Sequence, residues 1–542
     1  RFSSCRGVAF EIKPQVDHFA VSAPHGSHSV NRKPWGPFGS ISRHLQQSLS
    51  RSSSHFCDLE EDDDDNNEEG GDDVLYKIEE AREEDTQKEG STVPAKSQSP
   101  EPLKPKPKHG GGGSRLSVIL LDQGLFTVYK RLMALSIVVN VTILVLAATG
   151  VFPYARDNAV LFSIANLFVL CLCRSEAFFR VVYWIVVQLL GWPIVPVWIK
   201  LGITAFLQSV GGIHSGCGIS SIAWLIYGLV LTLKHRGDTS DAIIGVASTI
   251  LGLLVLCALA AFPLVRHLHH NVFERTHRFA GWASLGLVWI FVILRVSYDP
   301  LTKTYRAGIG SELVKNQEFW FLIGVTILIV LPWLSVRRVP VDISSASGHA
   351  SIIKFPGGIR AGLLGRISPS PLSEWHAFGI ISENKDDHIM LAGAVGDFTR
   401  SLVTDPPTHL WVRTVRFAGL PYLTHMYNRV LLVATGSGIC PFLSFMLQPS
   451  RAEICMLWVT KNVEQNFGKQ IKEWMSGHPE DKVIVHDSAV LGRANVSKLS
   501  IEAAKKFRAE VVIVTSNPEG SKTVVTACRA AGIPAFGPIW DS

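Results

Sequence analysis

The chain has 542 residues, of which 47% are hydrophobic and 18% charged, with a formal net charge of +6. Soluble domains average about 25% charged residues, so this composition argues against a wholly soluble protein and favours one with a membrane part. The length predicts about two to four structural units. The nine cysteines are scattered, without a disulfide framework or zinc-like spacing, so we expect free thiols.

The first 115 residues differ in charge from the rest of the chain. Residues 1–115 hold 15 basic and 20 acidic residues, whereas the remainder holds 37 and 26. The acidic run at 58–90 repels itself and 93–114 are rich in Pro, Lys and Gly, so we predict that 1–115 are disordered. Two interpretations stay open for the Ser/Arg/His-rich residues 1–57, a solvated tail or a transit peptide. The basic remainder has no basic helix or aromatic-basic module, so we expect no nucleic-acid partner.

Residues 116–338 are predicted to form a helical membrane domain. A span takes about 20 apolar residues, because a helix rises about 1.5 Å per residue across about 30 Å of hydrocarbon. Apolar runs of suitable character lie at 132–152, 159–174, 215–233, 242–264, 279–296 and 319–336. Residues 177–208 are also apolar but contain Arg180, Pro193, Pro196 and Lys200, which is compatible with a hairpin, a re-entrant pair or an interfacial helix.

The basic residues that flank the membrane domain predict its orientation. Lys130 and Arg131 precede the first run and Arg337 and Arg338 follow the last, so both ends are expected in the cytosol. This requires an even number of crossings, which six spans and a non-crossing 177–208 segment provide. Basic residues at 266, 275 and 278 then lie inside as the rule expects, whereas those at 234 and 236 lie outside, against it. We expect a multi-pass protein of the plasma membrane or an endomembrane, with a cytosolic C-terminal part.

The C-terminal part is predicted to contain two domains. Residues 339–427 contain short strand patterns separated by Gly, Pro and Ser turns, which favours a β-barrel. From 428 to 542 strand and helix patterns alternate, which predicts a parallel sheet wrapped by helices.

The strongest motif follows the first strand of the second domain. It reads Thr435-Gly436-Ser437-Gly438-Ile439-Cys440-Pro441-Phe442 and leads into a helix. Glycines let the backbone approach a pyrophosphate, and the helix N-terminus attracts its negative charge. A plain tight turn is the alternative interpretation, and the surrounding alternation of strands and helices favours nucleotide binding.

This motif resembles the nicotinamide-binding turn of ferredoxin–NADP reductase-like proteins. Gly492-Arg493-Ala494-Asn495-Val496 is similar to the family's Gly-Arg-Pro-x-Val segment. Thr515-Ser516-Asn517-Pro518 occupies the place of its Cys-Gly-Pro segment, with Thr-Ser in place of the Cys-Gly that lies near the nicotinamide in the family. The resemblance implies that NAD(P)H is bound by Thr435, Gly436, Ser437, Gly438 and Pro441, with Asn517 nearby and Lys461 as a candidate cation for a 2′-phosphate.

Two segments upstream resemble flavin-binding signatures. Trp375-His376-Ala377-Phe378-Gly379-Ile380 resembles the His-Pro-Phe-Thr-Ile signature of membrane ferric reductases and NADPH oxidases, with Gly379 where the family has Thr. Gly396-Asp397-Phe398-Thr399 matches the family's phosphate turn, whose N–H groups and hydroxyl face the flavin phosphates. The resemblance implies an FAD site that contains these residues and the terminal aromatic Trp540. Ordinary barrel residues, and for Trp540 a core position, are the alternatives.

Two histidines resemble the inner haem ligands of the same family. His277 ends a basic run before the fifth predicted span, and His214 opens the third, so both are expected at the cytosolic face. The family has a second histidine further along each of these two spans, and that pair holds a second haem. The corresponding positions here are Tyr227 or Gly228 and Ile290 or Phe291, which excludes a second bis-imidazole haem. One haem b held by His214 and His277 is therefore one interpretation, and two interface histidines without metal are the other.

Residues 130–542 together resemble the TmpA-type integral membrane flavoproteins related to ferric reductases and NADPH oxidases. That resemblance implies an oxidoreductase that takes electrons from NAD(P)H through FAD to a small-molecule or protein acceptor. The replacements at 379, 515 and 516 favour a second hypothesis, a membrane-anchored regulatory or nucleotide-sensing protein with an inactive reductase module. A transporter is a weaker third, since the spans lack a charged pair at mid-membrane depth.

Overall fold

The computed structural model describes residues 127–268, 270–479 and 481–538, and no side chains at 264, 267, 268, 270 and 271. The predicted disorder of residues 1–115 lies outside the described residues. The seven described cysteines are all free thiols, as the sequence predicts.

Helices occupy the first half of the described chain. They are α1 (Val128–Ala148), α2 (Pro153–Asp157), α3 (Ala159–Leu172), α4 (Glu176–Leu190), α5 (Val197–Ser209), α6 (Gly211–Lys234), α7 (Asp241–Ala260), α8 (Pro263–Leu268), α9 (His270–Ser297), α10 (Gly310–Lys315) and α11 (Gln317–Leu334). Five of them, α1, α6, α7, α9 and α11, are long and apolar enough to cross a membrane. A short hairpin of β1 (Tyr298–Asp299) and β2 (Thr304–Tyr305) follows α9.

The predicted span at 159–174 differs from the other five. Helix α3 has only 14 residues, about 21 Å at 1.5 Å per residue, which is short for a bilayer. It reaches spanning length only together with α4, and the two helices are bent by 65° at Arg174–Ser175. The number of candidate spans is thus five, or six if this bent pair counts as one.

Close packing of α6 on α1 fixes which way α6 faces. A methyl group on Gly216 would lie 2.7 Å from Ser136 Cβ, and one on Gly212 would collide with the Tyr129 carbonyl. Glycines four residues apart let two helices approach closely in this way. Residue 214 lies two positions from each glycine, about 200° around the helix, so His214 points away from α1.

The β domain follows α11 without a linker. Its strands are β3 (Val336–Pro340), β4 (Asp342–Ser347), β5 (Ala350–Pro356), β6 (Leu363–Ser368), β7 (His376–Gly379), β8 (Asp387–Gly393), β9 (His409–Arg413) and β10 (Phe417–Ala418), with helix α12 (Asp397–Thr404) after β8. Strand β3 begins at Val336, so the predicted boundary at 338/339 falls inside a strand.

The strands form two antiparallel sheets rather than one. Strands β10, β6, β9 and β3 lie side by side, with β7 on β6, whereas β4, β5 and β8 form the second sheet. Both sheets enclose one core that contains Ile353, Ile367 and Met390. Among the described residues a single bridge, Ile381 to Ile389, lies outside the named strands. A fully closed barrel is therefore not confirmed.

The C-terminal α/β domain has the predicted parallel sheet. Its elements are β11 (Arg429–Thr435), α13 (Cys440–Leu447), β12 (Glu453–Thr460), α14 (Val463–Phe467), α15 (Lys469–Ser476), β13 (Val483–Asp487), α16 (Ser488–Leu491), α17 (Val496–Phe507), β14 (Val511–Thr515), α18 (Pro518–Ala530) and β15 (Ala535–Phe536). The strand order is β13-β12-β11-β14-β15, all parallel. Strands buried on both faces explain the continuous apolar runs in the sequence.

Helices α4 and α5 are joined by residues 191–196 and both pack on the C-terminal domains; we call this helix–turn–helix segment the hairpin. Tyr183, Val187 and Leu207 belong to the same buried cluster as Tyr427 and Leu432. The three alternatives for residues 177–208 stay open, and the structure adds that both helices contact the C-terminal domains.

Candidate functional site

The order of the parallel strands locates a crevice at one edge of the sheet. The chain proceeds outward from β11 to β13 and then returns to the other side of β11 with β14. Such a reversal opens a crevice beyond the carboxyl ends of the two central strands, where ligands bind in open α/β sheets. Thr435 and Ser516 lie at these ends, and their hydroxyl oxygens are 2.6 Å apart.

The glycine motif forms the turn between β11 and α13, as predicted. Gly436 has φ +48°, a left-handed conformation that glycine adopts without strain. The indole N–H of Trp458, from the neighbouring strand, donates a 2.9 Å hydrogen bond to the Gly436 carbonyl. Pro441 lies in the first turn of α13, where its missing N–H costs nothing. The turn is thus a rigid element at the end of the central strand.

The glycine turn packs directly on the β domain. The thiol of Cys440 donates to the Gly379 carbonyl at 3.1 Å, and the Ser444 hydroxyl donates to the Ile380 carbonyl at 2.7 Å. A methyl group on Gly379 would lie 2.7 Å from Pro441 Cα. Burial raises the pKa of the Cys440 thiol to about 12, so it remains a neutral hydrogen-bond donor.

The second predicted turn begins helix α12. The Thr399 hydroxyl oxygen accepts from the N–H groups of Val395 and Gly396, at 3.1 and 3.0 Å, and donates to the Gly396 carbonyl. These bonds hold the turn at the helix N-terminus, where the first N–H groups have no partner inside the helix. Anions bind favourably at such a helix end.

The glycine turn after β11 and the turn at the start of α12 lie close together in space. A methyl group on Gly393, which ends β8 just before the α12 turn, would lie 3.0 Å from the Ser437 hydroxyl oxygen. The sequence separates Gly393 from Ser437 by the whole of β9 and β10, so only the packing of the two domains creates this contact.

The residues of the predicted flavin signature divide into two groups. His376 stacks on Phe398 of the α12 turn, with ring centroids 4.6 Å apart and planes 12° from parallel. Phe378 and Ile380 instead point into the β-domain core. They could reach a cofactor only through their backbone, which matches the barrel-residue alternative for these two side chains.

Two further predicted residues, Asn517 and Lys461, lie at the carboxyl-end edge of the sheet. Asn517 caps helix α18, and its side-chain oxygen accepts from the Gly520 N–H at 2.7 Å. Lys461 directly follows β12, at the same edge of the sheet. Trp540 lies outside the described residues, so its predicted stacking role stays a prediction.

Sequence reasoning missed a groove beside this edge of the sheet. It has a volume of about 820 Å³ and runs past Trp458, Asn462 and Asp487. Asn462 has φ +50°, and its N–H donates to the Asp487 carboxylate at 2.9 Å. The one available signal was an asparagine two residues after the second strand, because asparagine tolerates the left-handed region.

His214 and His277 face each other, with ring centroids 6.4 Å apart. Each Nδ1 lies near a backbone carbonyl, that of Leu170 at 3.0 Å and that of Cys257 at 3.3 Å. Because a carbonyl can only accept, each Nδ1 carries the proton and each Nε2 keeps its lone pair. Two metal–nitrogen bonds of about 2 Å would separate the centroids by roughly 6 Å, which is close to the separation seen here. No group of three or more His, Cys, Asp or Glu within the described residues could hold a metal.

The loop before β7 is attached to the helix that carries His277. Arg275 pairs with the Glu374 carboxylate at 3.0 Å, and Arg278 donates to the Leu372 carbonyl at 3.1 Å. Burial alone would raise the pKa of Glu374, but its own backbone N–H and the Arg275 cation outweigh burial and hold this pKa below its usual range. Polar contacts therefore join the helix that carries His277 to the loop that precedes the predicted flavin signature.

The fold and site thus define an apolar helical part followed by an antiparallel β domain and a dinucleotide-type α/β domain. Residues 420–542 match the family described as adenylate-forming reductase 03009, C-terminal domain. The chain is 34% identical over 431 residues to adenylate-forming reductase 06235 of Coprinopsis cinerea, and 33% identical to adenylate-forming reductase 03009 of the same organism. Each alignment covers 78% of this chain and 41% of the relative, so the chain spans about two fifths of these proteins.

Two solved structures resemble about two fifths of the chain, and weakly. Phthalate dioxygenase reductase is 13% identical with a TM-score of 0.29, covering 38% of this chain and 68% of its own. Ferredoxin-NADP+ reductase from Plasmodium falciparum is 11% identical with a TM-score of 0.30, covering 38% and 95%. Likenesses at this level leave the function to be argued from the site.

Proposed function

We propose that this protein is a membrane flavoprotein oxidoreductase that takes electrons from NAD(P)H through FAD to an acceptor. The observation that carries the proposal is the contact of the two predicted turns, Gly393 against Ser437, beside the crevice where the parallel sheet reverses. One anion-binding turn can hold a nicotinamide nucleotide, and a second turn next to it can hold the flavin phosphates.

The chain's own residues would bind and orient the two cofactors. The N–H groups at the start of α13 would hold the nucleotide pyrophosphate, and Pro441 keeps that helix start in place. The α12 turn would hold the flavin phosphates, with the His376–Phe398 stack as a flat wall beside it. Bound FAD supplies the step from two-electron hydride transfer to single-electron transfer. The relatives are named reductases, which agrees with this chemistry.

His214 and His277 would hold one haem b, and that group would supply a one-electron acceptor when bound. The spacing of the rings and the protonated Nδ1 atoms support this role, since backbone bonds to Nδ1 orient ligating histidines. Arg275 and Arg278 hold the loop of the flavin signature against the same helix, which would place donor and acceptor close together.

The proposed location is a cellular membrane, the plasma membrane or an endomembrane, with the C-terminal domains in the cytosol. Five long apolar helices support membrane insertion. Arg337 and Arg338 lie at the end of the last candidate span, and basic residues there favour the cytosolic side.

A regulatory protein with an inactive reductase module is the second candidate. It is favoured by the close packing of Gly379 on Pro441 and by the burial of the whole Gly436–Ile439 turn. A turn that is already covered by the β domain has less room for a reacting nicotinamide beside a flavin.

An absorption spectrum of the purified full chain, followed by NADPH-driven reduction of an artificial dye, tests the proposal. We expect a flavin band and dye reduction that is lost in Gly438→Val. A protein without any flavin band overturns the proposal. Flavin and NADPH binding without dye reduction by the wild type would instead establish the regulatory candidate.

A further inference from the structure

The hairpin of α4 and α5 exposes an apolar face. We propose that this face lies in the headgroup region of a lipid bilayer and holds the C-terminal domains against the membrane surface. This inference rests on the proposed membrane location but is independent of any cofactor or catalysis.

Helix α4 has two opposite faces. The inner face contains Phe179, Val182, Tyr183, Val186, Val187 and Leu190, which pack on the core of the C-terminal domains. The outer face contains Val181, Trp184, Ile185, Leu189 and, just past the helix end, Trp192, all of them exposed. Each set repeats every three to four residues, so α4 has an apolar inner face covered by protein and an apolar outer face that is exposed.

The turn and α5 continue the exposed face. Ile194 is 89% exposed and Trp198 73% exposed, and Phe206 further along α5 is also exposed. Together with the outer residues of α4, these side chains form the outer face of the hairpin. A soluble protein rarely leaves so many large apolar side chains next to one another in water.

The inner face of the hairpin excludes a simple membrane crossing. Thr204 and Tyr427 share a 2.7 Å hydrogen bond, and the Gln208 amide donates to the Gly537 carbonyl at 3.1 Å. Arg180 donates to the Arg416 carbonyl at 2.9 Å. A helix pair with these partners lies against the C-terminal domains, and only its outer face is available to lipid.

The neighbouring helices place the hairpin at one membrane surface. Helix α3 leads into α4 through the 65° bend. If α3 lies along the bilayer normal, α4 is therefore inclined by roughly 25° to the membrane plane. Helix α5 leads, after Val210 alone, into the candidate span α6. Tryptophan is enriched at the membrane–water interface, and the outer face contains three. An amphipathic helix in this position buries its apolar face at the headgroup boundary.

Photolabelling of the full chain in phosphatidylcholine vesicles tests the inference. One vesicle sample contains a phosphatidylcholine with a diazirine near the glycerol backbone, and a second has the diazirine at the acyl-chain end. We expect peptides from 181–206 to be labelled by the shallow probe and hardly at all by the deep probe. Peptides of α1 and α11 should be labelled by both and report insertion.

Val490 and Leu491 provide the control for exposed apolar side chains away from the hairpin, at 80% and 62% exposure. If the hairpin is labelled no more strongly than Val490 and Leu491 while α1 is labelled, the inference is wrong but the membrane location stands. Unlabelled α1 overturns the membrane location as well. Deep-probe labelling equal to that of α1 would identify a span, and cross-links between hairpins of two copies would identify a self-association surface; either result overturns the inference.

A variant pair separates lipid contact from folding. In Trp184→Lys/Trp198→Lys the shallow labelling of the hairpin should fall several-fold, because ammonium groups withdraw from the apolar boundary, whereas Val490→Lys should leave it unchanged. Unchanged labelling in the double variant contradicts the inference even where the wild type is labelled.

Discussion

Gly379 of the β domain packs directly against Pro441 of the α/β domain, without room for a side chain between them. This contact joins the last residue of β7 to the first turn of α13. It also gives a physical reason for glycine at a position where the flavin signature that the sequence resembles has threonine, because a Cβ there would meet backbone atoms that cannot move aside.

Gly379→Thr should therefore destabilise the protein rather than restore the family's hydroxyl. Overpacking of a closed contact costs about 1–3 kcal/mol, so the melting temperature should fall. Gly477→Ala in the same part of the chain is the control, since its methyl group would meet only ordinary contacts at 3.7 Å or more. A threonine variant as stable as the wild type would show that the two domains can separate at this contact.

Thr399→Val should weaken flavin binding. The change leaves the N–H groups of Val395 and Gly396 without their acceptor. An unsatisfied buried group of this kind costs about 1–3 kcal/mol of free energy. We expect the flavin Kd, measured by fluorescence titration of the apoprotein, to rise roughly tenfold or more. Thr399→Ser should restore it, and Thr404→Val on the exposed end of the same helix should not change it. An unchanged Kd in Thr399→Val would remove this turn from the flavin site.

Stability should fall in mild acid because of His388. Its ring is buried between the Gly357 carbonyl at 2.6 Å and the Arg416 guanidinium at 3.1 Å. Burial, together with the Arg416 cation, lowers its pKa to about 4, against the opposing effect of the Gly357 hydrogen bond.

Because the folded-state pKa lies below the unfolded value near 6.5, the unfolded chain binds the proton more readily. The stabilisation is complete above about pH 6.5 and is lost as the pH falls towards 4, up to about 3 kcal/mol. Thermal melts between pH 7.5 and 5 should show this slope in the wild type and a smaller one in His388→Gln. Equal slopes in both proteins would assign the acid sensitivity to other groups.

A haem, if held by the histidine pair, should depend on both rings. His214→Leu and His277→Leu should each abolish the Soret band of protein produced with added haem, because one imidazole cannot supply both axial ligands. The flavin band should remain, and exposed His235→Leu should keep both bands. A Soret band that survives in either leucine variant would contradict the two-histidine site.

Local patterns in the sequence predicted most of the elements. The apolar runs of five candidate spans and the alternation from 428 onwards became helices and parallel strands as expected. The surroundings of α4 and α5 could not be predicted from the sequence. An apolar helix face has the same residue pattern whether it contacts lipid or protein. The groove beside Asn462 was missed because it depends on how the consecutive elements from β12 to β13 pack on one another, which residue type and spacing alone do not specify.

The sequence by itself determined the motifs, since the Gly436 turn, the Thr399 turn and the two histidines are local patterns of residue type and spacing. Only the tertiary structure decided which of them meet. The contact of Gly393 with Ser437, the packing of Gly379 on Pro441 and the 6.4 Å separation of the His214 and His277 rings join residues that lie far apart in the chain. Such long-range contacts follow from how the domains pack, and packing depends on the shapes of whole surfaces rather than on any local pattern.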